Sequence, residues 1–347
     1  MSPSHIAPED HLLAPGADRS LPRPLSDPAH YIASPALAQA VKVAQALGMP
    51  LLLTGDPGTG KTQLAYRLAW ELGHGAAGAK PLRFDTKSTS TATDLFYQFD
   101  SVRHYAASQL AAVNEQQPPP ARQFIHYRAL GLALLKTRPW ADNQTLVSDR
   151  QADDDRLRQA TPQRSVVLID EVDKAPRDFP NDLLNQLDEY CFDAPELSPE
   201  PDAWGIRADP DRLPIVIITS NSERQLPEAF LRRCVYHHIS LPVDDVERRT
   251  WLHRIVQQRF AGSRLADAAG SGWDEANSFF FSLLDERSLQ KPPSTAELLD
   301  WLRALDQLKL DWAQRLPRQR DALMASLGVL LKTTDDLATG QRLWALR

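Results

Sequence analysis

An α/β domain with a parallel sheet flanked by helices, followed by an all-helical domain, is what this sequence predicts. Three observations predict it. The apolar runs Leu51–Leu53, Val166–Ile169 and Ile215–Ile218 read as strands buried on both faces. Helix-patterned segments separate these runs, the alternation that builds a parallel sheet. After Pro242 amphipathic helices continue and no strong strand run follows. At 347 residues and 42% hydrophobic, the chain can bury a sizeable core and still build a second unit.

The elements follow in order. Residues 1–28 contain six prolines and little periodicity, and read as a tail. A helix begins after Ser34, with a serine cap, Pro35 in its first turn and Gly48 as its stop. The strand at Leu51 comes next, and "PLRFDT" (81–86) reads as a second strand. Residues 94–139 read as mostly helical, interrupted by "QQPPPA". Residues 140–164 are rich in Asp, Gln and Arg and read as an exposed insertion. "SVVLIDE" (165–171) is a buried strand, and "DFPNDLLNQLDEY" (178–190) a helix with Leu183, Leu184 and Leu187 on one face. The proline-rich stretch 192–213 is a long connection or hairpin, and "PIVIITSN" (214–221) another buried strand. "LPEAFLRRCVYHHI" (226–239) reads as a helix leading into a short strand. The resulting division is a tail (1–28), an α/β core (29–242) with insertions at 98–164 and 192–213, and a helical domain (243–347).

Composition excludes several roles. The net charge of −6 gives no overall basic attraction for nucleic acid or an anionic membrane. Cys191 and Cys234 form no disulfide framework, suggest a reducing compartment and read as small buried apolar residues. No apolar run approaches the roughly 20 residues that span a bilayer. The N-terminus lacks a basic region followed by an apolar stretch, so the expectation is a cytoplasmic protein. His237 and His238 are adjacent, without metal-ligand spacing, and read as structural.

Chemistry concentrates after the first strand. Gly55-Asp56-Pro57-Gly58-Thr59-Gly60-Lys61-Thr62 fits G-x-x-x-x-G-K-[ST] at every fixed position. Glycines let the backbone curl so that N–H groups point at phosphate oxygens. The helix that follows presents its positive end to the same oxygens. Lys61 is placed to reach the β- and γ-phosphates and Thr62 to ligate Mg²⁺ through its hydroxyl. The motif sits between a strand and a helix, as this mechanism requires. Asp170, at the end of a buried strand, is the expected second holder of Mg²⁺. Glu171 is positioned as a general base toward an attacking water. Asn221, at a strand tip, can orient that water. Of the two arginines in "LPEAFLRRC", Arg233 is the choice for reaching a neighbouring subunit's γ-phosphate, with Arg232 in reserve.

The stretches "GDPGTGKT", "VVLIDEVDKA", "IITSNSER" and "LPEAFLRRC" resemble those of AAA+ ATPases in order and spacing. "DEVDKAPRDFPNDLLNQLDE" and "KPPSTAELLDWLRAL" look most like the MoxR-type branch, and the resemblance covers about residues 30–310. It implies an α/β core with a helical lid, in a ring, usually a hexamer, with ATP between subunits. By that resemblance Lys61 and Thr62 belong to Walker A, Asp170 and Glu171 to Walker B; Asn221 is the first sensor and Arg233 the finger acting in trans. The branch resembles chaperones that remodel a partner, commonly one with a von Willebrand factor A domain, and some members help to mature metalloenzymes. Regions 98–139 and 192–213 match the branch's helix insertion and its hairpin before the sensor, both facing a substrate or partner. One departure stands out. The lid stretch that carries Ser-Pro-Arg in many MoxR-type proteins is here Pro293-Ser294-Thr295-Ala296, with Lys291 and Arg287 the nearest upstream cations.

The leading expectation is an Mg-ATP hydrolase whose ring reshapes a protein partner. A second reading is a nucleic-acid motor or nuclease-associated translocase, since a ring pore can be basic locally; strong salt dependence of DNA affinity distinguishes it. A third is a nucleotide-switched scaffold with little turnover, which Glu171 and Arg233 argue against.

Overall fold

The computed structural model describes residues 27–75, 78–148, 161–197, 205–221, 226–261, 265, 270–315 and 320–346. Its centre is a five-stranded parallel sheet. β1 (Leu51–Thr54), β2 (Leu82–Asp85), β5 (Val166–Asp170), β8 (Ile215–Thr219) and β9 (Val235–His238) stand in the order β2-β5-β8-β1-β9. β1 pairs with β8 through Leu51 opposite Ile217, and β5 pairs with β8 through Val166 opposite Ile215. Every residue of β1 and β5 is buried, as a central strand covered on both faces requires.

Local chemistry sets the helix ends. Ser34 Oγ accepts from Leu37 N at 3.1 Å, and the Pro35–Leu47 helix stops at Gly48 with φ of 63°. A serine cap of this kind contributes about 1 kcal/mol. The helix and the Lys61–Leu72 helix bury Leu37, Val41, Leu64 and Leu68 against one sheet face. The Ala129–Thr137 helix packs into the opposite core with Leu130, Leu134 and Leu135.

The C-terminal region is all helical among the described residues. It has its own core, centred on Phe279, Phe280, Trp301 and Leu302. The buried Trp301 indole donates to Ser326 Oγ at 2.9 Å, so the polar handle of that large ring is satisfied. Ser294 caps the Thr295–Gln307 helix with Glu297 in a capping box.

Three expectations change and one gains an element. The segment 94–139 is mostly helical, as read, but also holds two short strands: β3 (Tyr97–Phe99) and β4 (Ile125–Tyr127) pair antiparallel. Each is three residues long, too short for alternation to register, and packs Tyr97 and Tyr127 around Phe192. The 178–190 helix is divided at Leu183 into Phe179–Asp182 and Leu184–Glu189; ψ of −14° there departs from the helical value of about −42°, although Leu183 N still donates to Phe179 O at 3.3 Å and Leu183 O still accepts from Leu187 N at 2.9 Å. In the supposed exposed insertion 140–164, Asn143, Leu146, Val147 and Ser148 are buried, because Asn143 Nδ2 donates to Leu135 O at 2.7 Å and folds the segment back; residues 149–160 lie outside the described residues. Cys234 is buried as expected but Cys191 is partly exposed, since it opens the edge hairpin of β6 (Cys191–Asp193) and β7 (Gly205–Arg207). That hairpin is one of the two alternatives foreseen for 192–213.

Candidate nucleotide site

The loop between β1 and the Lys61–Leu72 helix rims a cavity of about 1060 Å³. Pro57, Gly58, Gly60, Lys61, Thr62, Asp170, Glu171 and Asn221 all line it. It opens at the carboxyl ends of the parallel strands, where ligands of such sheets bind. The five side chains expected to act on phosphate, metal and water therefore converge.

Two glycines make the loop possible. Gly55 has φ of 135°, and a Cβ there would stand 2.3 Å from Ile239 O. Gly58 has φ of 79°, and its Cβ would stand 2.3 Å from Ser294 Oγ. The helical region touches the loop directly at this point, since Ala296 N donates to Gly58 O at 3.2 Å. Thr295 and Ala296 line the cavity. Lys291 and Arg287 do not; the Lys291 backbone N–H donates to Asp336 Oδ2 at 3.2 Å. Gly58→Ala is expected to weaken nucleotide binding about tenfold: the left-handed backbone alone costs about 1–2 kcal/mol, before Ser294 must move. Titration with a fluorescent ADP analogue checks it, and an unchanged affinity would refute the contact's importance.

Lys61 lies across the loop, its Nζ donating to Gly55 O at 2.6 Å and Asp56 O at 3.0 Å. Burial lowers its pKa, opposed by the carboxylates of Asp56, Asp173, Asp170 and Glu171. Asp170 is almost fully buried. Its Oδ1 accepts from Thr62 Oγ1 at 3.0 Å and from Thr219 Oγ1 at 2.7 Å, while Oδ2 pairs with Arg83 at 2.9 Å. One carboxylate beside one hydroxyl is a hard oxygen set suited to Mg²⁺, which takes few protein ligands and completes its octahedron with phosphate oxygens and water.

Glu171 has φ of 56°, rare for a residue with a Cβ. Along a strand, neighbours 170 and 171 point to opposite faces. The left-handed turn at 171 breaks that alternation and lets both residues line one cavity. Thr219 Oγ1 accepts from Glu171 N at 2.9 Å and pins the turn. The carboxylate pairs with Lys174 and is partly exposed. Asn221 is held by its backbone, which donates to Asp173 Oδ1 at 3.1 Å, leaving its amide free of that bond.

Arg233 is not brought to the cavity. Its Nε donates to Asp188 Oδ2 at 2.5 Å on the exposed flank. Arg232 pairs with Glu228, also outside. Sequence reasoning missed Thr219 and Arg83, which complete the Asp170 shell. It also missed Tyr31, Trp251 and Arg259 in the cavity wall. A hydroxyl ending the "IVIIT" strand and an arginine in "LRFD" were the available signals.

A family model described as "ATPase family associated with various cellular activities (AAA)" matches residues 51–243. No curated protein matches the chain at a significant level. Among solved structures, the chain is similar to NtrX from Brucella abortus in complex with ADP. The identity is 14% and the TM-score 0.44, over 82% of this chain and 54% of that one. It is also similar to an ADP complex of Hsp104 from S. cerevisiae, with 18% identity and a TM-score of 0.43, over 78% of this chain and 44% of that one. The chain thus spans about half the length of the solved structures it matches. No helix among the described residues is long and apolar enough to cross a membrane.

Proposed function

The chain belongs to the AAA ATPase family, and from that membership we propose that it is a MoxR-like AAA+ ATPase coupling Mg-ATP hydrolysis in a ring to the remodelling of a protein partner. The observation that carries the reading is the convergence of Lys61, Thr62, Asp170, Glu171 and Asn221 on one cavity. Backbone N–H groups of the loop and the Lys61 ammonium hold the phosphates. Thr62 and Asp170 would hold Mg²⁺, which would supply neutralisation of the phosphates' negative charge. Glu171 takes a proton from the attacking water, and Asn221 orients it.

The α/β core (29–242) binds the nucleotide and the helical region (243–347) acts as its lid, coupled to the loop through Gly58 and Ala296. Thr295 and Ala296 stand at the loop in this lid, with Arg259 elsewhere in the cavity wall. An exposed apolar stripe supports a protein partner: Val102, Tyr105, Leu110 and Val113 lie uncovered on the Ser101–Val113 helix, within the region that resembles the partner-facing insertion. A protein with a von Willebrand factor A domain is the partner proposed, with a hexamer as the assembly and the cytoplasm as the compartment.

The testing experiment is capture from the native host with the Glu171→Gln chain and ATP, read by mass spectrometry and nuclease-sensitive staining. A stoichiometric protein supports the reading. Nucleic acid without a protein partner overturns it in favour of a motor. In parallel, Lys61→Ala is expected to weaken ATP binding at least about tenfold, the loss of a charge-assisted contact of about 1.5–3 kcal/mol. Equilibrium binding measures this, and unchanged affinity would remove the loop from the nucleotide site.

A further inference from the structure

We propose that Arg83 sets the divalent-cation affinity of the nucleotide site, by standing as a fixed competing charge on Asp170. The inference rests on reading Asp170 as the metal-side carboxylate. β2 runs parallel to β5 with Arg83 opposite Leu168 and Asp85 opposite Asp170. Arg83 and Asp85, two residues apart, share a face of the edge strand. Arg83 is held there by Asp85, whose Oδ1 accepts from Nε at 2.7 Å and lies 2.6 Å from a terminal guanidinium nitrogen. From that anchor the guanidinium reaches Asp170 Oδ2 at 2.9 Å and lines the cavity.

The chemistry is specific to this carboxylate. Thr62 and Thr219 both engage Oδ1, so Oδ2 is the oxygen left to face a cation or its water. Arg83 occupies that direction. A guanidinium keeps its charge at any working pH, so it cannot yield by deprotonating. Asp170 is buried, with a side chain only 7% exposed, so screening at its oxygens is weak. A divalent ion entering here meets a positive charge tied to the carboxylate it needs. The same charge favours anionic phosphate. Arg83 therefore acts in opposite directions on the two components: it weakens the metal and strengthens metal-free nucleotide. It is a positioning residue, acting on the metal through Asp170.

The test titrates Mn²⁺ into the full chain with ADP, reading free Mn²⁺ by electron paramagnetic resonance. ADP binding without metal is measured separately. Arg83→Gln is expected to tighten Mn²⁺ about tenfold and to weaken metal-free ADP several-fold, as loss of one nearby charge in a partly screened site predicts. Arg83→Lys, which keeps the charge, should remain near wild type and shows that the fold survives substitution at this edge strand. Asp170→Asn should lose the protein-dependent Mn²⁺. Unchanged or weaker Mn²⁺ in Arg83→Gln, with Asp170→Asn still losing it, overturns the proposal and leaves the metal reading intact. Wild-type Mn²⁺ binding in Asp170→Asn overturns the metal reading and the proposal together.

Discussion

Glu171→Gln is expected to leave ATP bound while hydrolysis falls about 10²–10⁴-fold, the range a positioned general base contributes. The geometry separates the two functions. On the proposed reading, phosphate contacts would come from the loop and Lys61, and the metal would be held by Thr62 and Asp170, whose hydroxyl and carboxylate stand 3.0 Å apart. None of these passes through the Glu171 carboxylate. The backbone at 171 is fixed by Thr219 Oγ1 accepting from its N–H, a bond glutamine preserves. Glutamine also keeps the size of the side chain while removing its capacity to take a proton and the exposed charge paired with Lys174. Single-turnover hydrolysis beside equilibrium ATP binding checks this. Normal turnover would remove Glu171 from the mechanism, and a parallel loss of binding would make it a structural residue of the β5 turn.

The parts of this site legible in the sequence are those fixed by local rules. A glycine-rich loop, a lysine and a threonine lie within eight residues, and their joint spacing states the ligand's shape. The strands that carry it are runs of buried aliphatics, and burial on both faces of a parallel sheet leaves few other sequences possible. The Pro35–Leu47 helix announced its own ends through Ser34 and Gly48, because capping is chemistry among neighbours.

Thr219 and Arg83 were not legible for the opposite reason. Thr219 meets Asp170 from 49 residues away, through the pairing of β5 with β8. Arg83 meets it across the pairing of β2 with β5. Register between distant strands is set by the whole sheet and leaves no local mark. The left-handed turn at Glu171 is likewise imposed from outside, by Thr219, on a residue whose own preference opposes it. The β3–β4 pair shows the same limit in packing. Its three-residue strands carry almost no periodic signal, and what holds them is the aromatic contact with Phe192, far along the chain.

Arg233→Ala is expected to keep ATP affinity and lose about 10³-fold or more in turnover, the magnitude of an arginine supplied across an interface. In this chain Arg233 stands on a flank outside its own cavity, paired with Asp188 at 2.5 Å and with its side chain 39% exposed. An arginine so placed has no route to the phosphates of its own loop, so a catalytic role requires a neighbour. A ring of heterologous contacts provides one, because each subunit then offers its cavity to one neighbour and its flank to the other. That geometry makes the mixing result decisive. Arg233→Ala chains carry intact cavities, and Lys61→Ala chains carry intact fingers. In an equal mixture that exchanges freely, roughly a quarter of interfaces join an intact cavity to an intact finger, so activity should reappear where neither variant has any alone. Steady-state turnover across mixing ratios measures it, with a maximum expected near equal proportions. No recovery at any ratio would count against action in trans. Loss of ATP affinity in Arg233→Ala equal to its loss of turnover would make the Arg233–Asp188 pair a bond that holds the fold, and a charge donor acting in trans would have to be sought elsewhere on that flank, beginning with Arg232.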